Sequence, residues 1–170
     1  MTSVVFSVVT IAAGIAYLRT HGLSARAKPS ALEAYIARKV RSLATPARVR
    51  DRRNPLESTL LNVAEGRDHF ADHCAICHGN NGDGRTMIGG GLYPPPPDLR
   101  GAVTQSLTDG ELFSIIRDGI RLTGMPGWGG EDDDNWKLVL FVRHLPNLTT
   151  EELTLMNEVN KLEGDVQVDR

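Results

Sequence analysis

Cys74-Ala75-Ile76-Cys77-His78 is the stretch from which the rest of the chain can be read. It has the C-x-x-C-H form of a c-type haem attachment site. Two thiols three positions apart can each add to a vinyl group on one haem edge, and the next residue offers an imidazole to the iron. In bacteria such attachment is carried out outside the cytoplasm, so the motif is also an address. A structural zinc site would need two more cysteines or a spaced histidine pair, and Cys74 and Cys77 are the only two cysteines. His69 and His73 precede the motif at a spacing that fits no common finger. A thioredoxin-like dithiol would need a βαβ setting, and little of this chain reads as strand. One covalently held haem c is therefore the expectation.

Outward from the motif, short helices alternate with Gly/Pro loops. Residues 56–73 read as a helix ending at the motif, with Leu60, Leu61, Val63 and Ala64 followed by Gly66 and Phe70 on one face. Glycine there costs helix stability, so something close is expected to pack on it. A glycine-rich loop follows over 79–91, and then the stiff run Pro94-Pro95-Pro96-Pro97-Asp98-Leu99. Thr108 with Glu111 forms a capping box that opens a helix through Ile116. Residues 119–130 are a loop holding Gly124-Met125-Pro126-Gly127-Trp128, and residues 133–145 a helix stopped by Pro146. Thr149 and Glu152 cap a last acidic helix to about Leu162. No strand is required, and the fold class expected is all-α.

Over residues 56–147 this order of motifs resembles a class I cytochrome c. The resemblance rests on Gly66 and Phe70 in the helix before the attachment motif and Trp136 near the start of the closing helix. Pro97-Asp98-Leu99-Arg100-Gly101 and Met125-Pro126 complete it. It implies that the two terminal helices cross at the small residue. It implies that the Pro97 carbonyl accepts a hydrogen bond from the ligating imidazole of His78, and that Met125 is the sixth ligand. Among the other methionines, Met1 is remote, Met156 lies in the tail, and Met87 stands nine residues past His78. His69, His73 and His144 are rival sixth ligands on helical positions that read as surface. The haem-binding set expected is Cys74, Cys77, His78, Pro97 and Met125, with His78 and Met125 on the iron.

Charge is segregated along the chain. Residues 19–53 hold ten Lys/Arg against two acids, a net of +8; residues 54–148 carry a net of −6 and residues 149–170 a net of −4. The run 4–18 is almost wholly apolar, broken by Ser7, Thr10 and Gly14, and with its flanks approaches the roughly 20 residues of a membrane helix. An uncleaved anchor is favoured over a signal peptide cut after Ala25-Arg26-Ala27, because that site lies far beyond the apolar run. The positive-inside rule would hold the +8 arm in the cytoplasm. The attachment motif requires everything after the anchor to be outside, and its chemistry outweighs a statistical bias. In the arm, Pro29-Ser30 opens a helix with Leu32, Tyr35, Ile36, Val40 and Leu43 at helical spacing among Arg38, Lys39 and Arg41. It suits anionic headgroups or a partner subunit. Pro46, Pro55 and the arginines between read as a linker.

The domain boundaries expected are 1–23 for the anchor or signal segment, 24–55 for the basic helical arm and linker, 56–147 for the haem domain and 148–170 for an acidic extension. The function expected is single-electron transfer outside the cytoplasmic (inner) membrane, on its periplasmic side. The partners expected are a redox donor and a redox acceptor, at least one with a basic docking face, and no nucleic acid. Membership of a larger respiratory or dehydrogenase complex is the alternative, and a sensor or peroxidase with an openable sixth site a more distant one. No nucleophile or general base is singled out, so no catalytic residue is expected. The acids at 131–134 read as charge at a helix N-terminus rather than a calcium site.

Overall fold

The computed structural model describes residues 2–160, with side chains from residue 5. The order of elements is α1 (Thr2–His21), α2 (Ala31–Ala44), a single turn α3 (Ala47–Arg50), α4 (Leu60–His69), a π-helical turn (Phe70–Cys74), α5 (Ala75–His78), α6 (Ala102–Gln105), α7 (Asp109–Asp118), α8 (Asp132–His144) and α9 (Thr150–Val159). Among the described residues there is no strand. The end expected for the last helix, Leu162, and the rest of the acidic extension lie outside the described residues, as does Met1.

The core is built where α4 crosses α8. A Cβ on Gly66 would stand 2.2 Å from the Lys137 carbonyl oxygen and 3.2 Å from Cβ of Phe141, so only a glycine lets the two backbones approach this closely. One turn on, Phe70 meets Phe141 with ring centroids 5.2 Å apart. Lys137 Nζ reaches Glu65 Oε2 at 2.7 Å along the rim of the same crossing. Trp136 is buried on the other side of α8 and stacks on Phe113 of α7 at 4.1 Å. The crossing at the small residue, expected from the resemblance, is present.

Local capping decides where the helices start. Thr108 accepts from the Glu111 N–H while the Glu111 side chain accepts from Thr108, and Thr149 and Glu152 repeat the arrangement for α9. The helix expected from Leu56 begins instead at Leu60, because Thr59 Oγ1 accepts from the Asn62 N–H and caps it there. Leu60 and Leu61 consequently lie on an open first turn and are exposed. At its far end α4 does not run smoothly to the motif: the Ala75 N–H bonds back to the Phe70 carbonyl five residues earlier.

Two segments depart from the expected organisation. The run between Pro46 and Pro55 is docked rather than a free linker. Gly110 lies against the Val49 carbonyl, Thr108 Oγ1 donates to the Arg50 carbonyl at 2.7 Å, and Asn54 Nδ2 donates to the Trp136 carbonyl at 2.9 Å. Arg52 caps the aromatic stack, its guanidinium 4.3 Å from the Phe113 ring and 5.0 Å from the Trp136 ring. The tail is likewise part of the fold: Met156 is 1% exposed, and Asn160 Nδ2 donates to the Ala71 carbonyl in the π-helical turn.

The expected N-terminal membrane helix forms as α1, but among the described residues no helix is long and apolar enough to cross a membrane. The described apolar side chains run from Val5 to Leu18 before Arg19 intervenes. Fourteen residues rise about 21 Å, short of the roughly 30 Å hydrocarbon core.

Candidate haem-binding site

The π-helical turn delivers Cys74 at its end, and α5 carries Cys77 and His78 in the single turn that follows. Both cysteines are half-buried free thiols. Burial pushes the Cys74 thiol up to about 12, with Cys77 adding to the effect, and burial also raises Cys77. Neither is a reactive thiolate at neutral pH, which distinguishes the pair from a redox dithiol with a lowered pKa.

His78 is pulled down to about 4 by burial, so its imidazole is neutral at physiological pH, the form that binds a metal. Its Nδ1 is buried without a hydrogen-bond partner. The bond expected from Nδ1 to the Pro97 carbonyl is therefore not formed. The Pro97 carbonyl oxygen instead lies 3.2 Å from where a Cβ on Gly84 would stand, and Pro97 itself is exposed. Proline segment and attachment turn are joined through the intervening loop. Gly84 N–H donates to the His78 carbonyl at 2.8 Å, and Leu99 N–H to the Gly82 carbonyl at 2.8 Å. Gly84 has φ +74 and sits 2.5 Å, measured from an ideal Cβ, from the Pro96 oxygen; a side chain would drive the two strands of chain apart.

Thr86 is a supporting residue that sequence reasoning missed. Its hydroxyl donates to the Ile76 carbonyl at 2.8 Å and accepts from the Gly89 N–H at 2.8 Å. The last turn of α5 leaves its carbonyls without helical partners, and a threonine ten residues downstream satisfies one of them. No local pattern marks it. Asn80 is another, donating to Asn157 Oδ1 at 2.6 Å and to the Asn160 carbonyl at 3.1 Å. Through it α9 holds the loop just past His78.

Met125 is half-buried in the irregular loop between α7 and α8. Its N–H donates to Thr123 Oγ1 at 3.1 Å and its carbonyl accepts from the Ile120 N–H at 3.1 Å. The Trp128 N–H reaches the Ile116 carbonyl and the Gly129 N–H the Arg117 carbonyl, tying the loop to the end of α7. Gly124 packs closely on Leu92. The loop touches the attachment side through Trp128, whose ring meets His73 edge-on at 5.5 Å.

The rival ligands are otherwise engaged. His144 Nε2 lies 2.9 Å from Glu152. His69 and His73 stack edge to face at 4.9 Å on the outer side of the helix, and burial, then His73, lowers the pKa of His69. Met87 is 79% exposed and Met156 belongs to the core. Among the described residues no three His, Cys, Asp or Glu side chains gather as a metal site, and this includes the acids at 132–134. Two surface clefts, one bordered by Ser58, Val63 and Glu152, the other by Arg50, Asp109 and Arg143, contain none of the five expected haem-binding residues.

A paired thiol turn and a half-buried, neutral imidazole suit one porphyrin iron, and the loop of Met125 is tied to that side through Trp128. Residues 61–142 match the family of Cytochrome C oxidase, cbb3-type, subunit III. A stretch of 35 residues is 41% identical to the thiosulfate dehydrogenase of Stutzerimonas stutzeri (strain A1501), over 21% of this chain and 11% of that protein. Residues 61–142 are a cytochrome c family domain, and such a domain implies a covalently attached haem c with its iron.

Proposed function

We propose that this chain carries single electrons between redox proteins outside the cytoplasmic membrane, through one haem c held by Cys74, Cys77, His78 and Met125. The observation that carries the reading is His78: a buried imidazole, neutral at physiological pH, at the end of a C-x-x-C turn whose backbone is fixed by Gly84 and Thr86. When bound, the haem supplies an iron that alternates between ferric and ferrous states. His78 would offer an imidazole nitrogen to that iron, and the thioether of Met125 would favour its reduced form. Met125, in a loop tied to the end of α7, would occupy the remaining ligand position of such a group, which disfavours the sensor and peroxidase readings. Phe70, 6.4 Å from the His78 ring, and the α4–α8 core behind it would shield the imidazole from water.

The chain is held at the membrane by α1. Its exposed apolar residues, among them Val5, Phe6, Val8, Ile11 and Leu18, point to all sides of the helix, as expected of one facing lipid. Membrane association resistant to high-pH carbonate would support this; release by it would refute it. The net −6 of residues 54–148 supports a basic docking face on at least one partner, so electron-transfer rates should fall as salt screens the attraction.

A redox titration tests the electron-transfer reading. It predicts one reversible one-electron wave with one haem per chain and no cyanide adduct under mild conditions. Ready cyanide or peroxide binding by the oxidised protein would refute it. The match to an oxidase subunit favours a second reading, in which the chain is built into a larger respiratory complex. Co-purification of stoichiometric partners in mild detergent separates the two.

A further inference from the structure

Helix α2 leaves its apolar face uncovered. Ser30 caps it through the Glu33 N–H, and it runs for 14 residues without a buried side chain. Only Ala34 and Arg41 are half-buried, and they lie on the same side, seven residues apart. On the opposite side Leu32, Tyr35, Ile36, Val40 and Leu43 are exposed, Leu32 at 68% and Leu43 at 86%. A helix that serves only its own domain buries its apolar stripe; this one leaves its stripe exposed. Lys39 lies among the apolar residues with its Nζ 5.7 Å from the centre of the Tyr35 ring, and the exposed Arg38 stands beside it. Tyr93 Oη donates to Glu33 and joins α2 to the domain.

We infer that α2 lies along an anionic lipid surface, with Leu32, Ile36, Val40 and Leu43 sunk among the acyl chains and Arg38 and Lys39 at the headgroups. The inference rests on the reading of α1 as a membrane helix and adds a second, charge-dependent contact to it. Three observations choose lipid over a protein partner. The segment is strongly basic, at +8 over residues 19–53. It follows directly on α1, whose apolar side chains are exposed all round. The apolar stripe alternates with long cationic side chains, the pattern of helices that lie in a membrane interface. The domain side carrying Tyr93 and Leu92 is thereby turned towards the bilayer.

The test uses the full-length holoprotein, in which the haem occupies Cys74 and Cys77, so that an added cysteine is the one thiol open to a fluorophore. Leu43→Cys, in the apolar stripe, and Ala37→Cys, about 120° round α2 from it, are labelled with an environment-sensitive dye and mixed with vesicles of phosphatidylcholine, alone or in equal parts with phosphatidylglycerol. On the anionic vesicles the Leu43→Cys label should shift to the blue and react several-fold more slowly with external dithionite, while the Ala37→Cys label stays wet. Arg38→Glu with Lys39→Glu should abolish the shift. A Leu43→Cys label that remains wet on anionic vesicles, or that shifts equally on neutral ones, overturns the inference. So does a label already dry before lipid is added, which would indicate a protein partner or a second copy. Flotation of the same samples reports on α1 separately. Flotation with both vesicle types and a wet label leaves the anchor and removes only the α2 contact; flotation with neither removes both.

Discussion

Replacing Gly66 with alanine tests the core in one methyl group. The new Cβ would stand 2.2 Å from the Lys137 oxygen and 2.7 Å from the Lys137 carbonyl carbon. Ordinary contact begins near 3.4 Å, so α8 must retreat by about 1 Å or tilt. The obstacle is backbone inside a helix and cannot rotate away as a side chain would. Retreat loosens the Phe70–Phe141 pair and the Lys137–Glu65 ion pair. Overpacking of this kind costs about 1–3 kcal/mol, and the rigid obstacle argues for the upper end. Alanine returns about 1 kcal/mol of helix propensity, leaving a net loss near 2 kcal/mol. For a domain of this size that lowers Tm by roughly 8–16 °C. The assay is guanidinium and thermal unfolding of the oxidised holoprotein by far-UV circular dichroism, with Gly90→Ala as control. A Cβ at residue 90 meets nothing within 4 Å, so that variant should unfold with the wild type. A Gly66→Ala protein as stable as the control would refute the claim that the crossing is set by this glycine.

Met125→Ala should remove the weak far-red charge-transfer band of the oxidised protein, lower the potential and admit cyanide or carbon monoxide; Met87→Ala, at an exposed position, should change none of these. Cys74→Ala, or production without haem-attachment machinery, should leave residues 56–147 largely unfolded by circular dichroism and hydrogen exchange, because aromatic residues are only 5% of the chain and the haem completes the core. Glu152 bears on acid stability. Burial opposes its ionisation, but bonds from His144 and Thr149 outweigh that and hold its pKa below the ordinary 4.5. A lowered carboxylate contributes stability that is complete above the unfolded value and lost as pH falls through the folded one. Unfolding measured from pH 7 down to 3 should therefore show Glu152→Gln less stable than wild type near neutrality, with the gap closing below about pH 4.5. A gap that widens on acidification would contradict the sign.

Much of the site was legible because its signals are local. The attachment motif is five adjacent residues, and the capping boxes at Thr108–Glu111 and Thr149–Glu152 each close within one helical turn, so sequence alone determines them. The same holds for the all-α class and for the amphipathic stripe of α2. Gly66 was flagged by its cost in a helix, though what pressed on it, the Lys137 carbonyl 71 residues away, was not. The start of α4 was misplaced by four residues because Thr59 competes with Pro55 as the break, and only the hydrogen bond to Asn62 decides between them.

The tertiary structure decided what depends on distant backbone. It docked the run expected as a linker, because the Arg52 guanidinium and the Asn54 amide find the Phe113–Trp136 stack and a carbonyl of α8. It brought the acidic tail onto the attachment turn through Asn80, Asn157 and Asn160. It left the Nδ1 of His78 without the Pro97 carbonyl that the P-x-L-x-G stretch had led one to expect. It also left the stripe of α2 exposed. Sequence carries information about contacts within a turn of helix, where covalent geometry brings the partners together whatever the rest of the chain does. Which carbonyl a buried amide finds 80 residues away depends on how two helices approach, and that is settled only when a whole core packs at once.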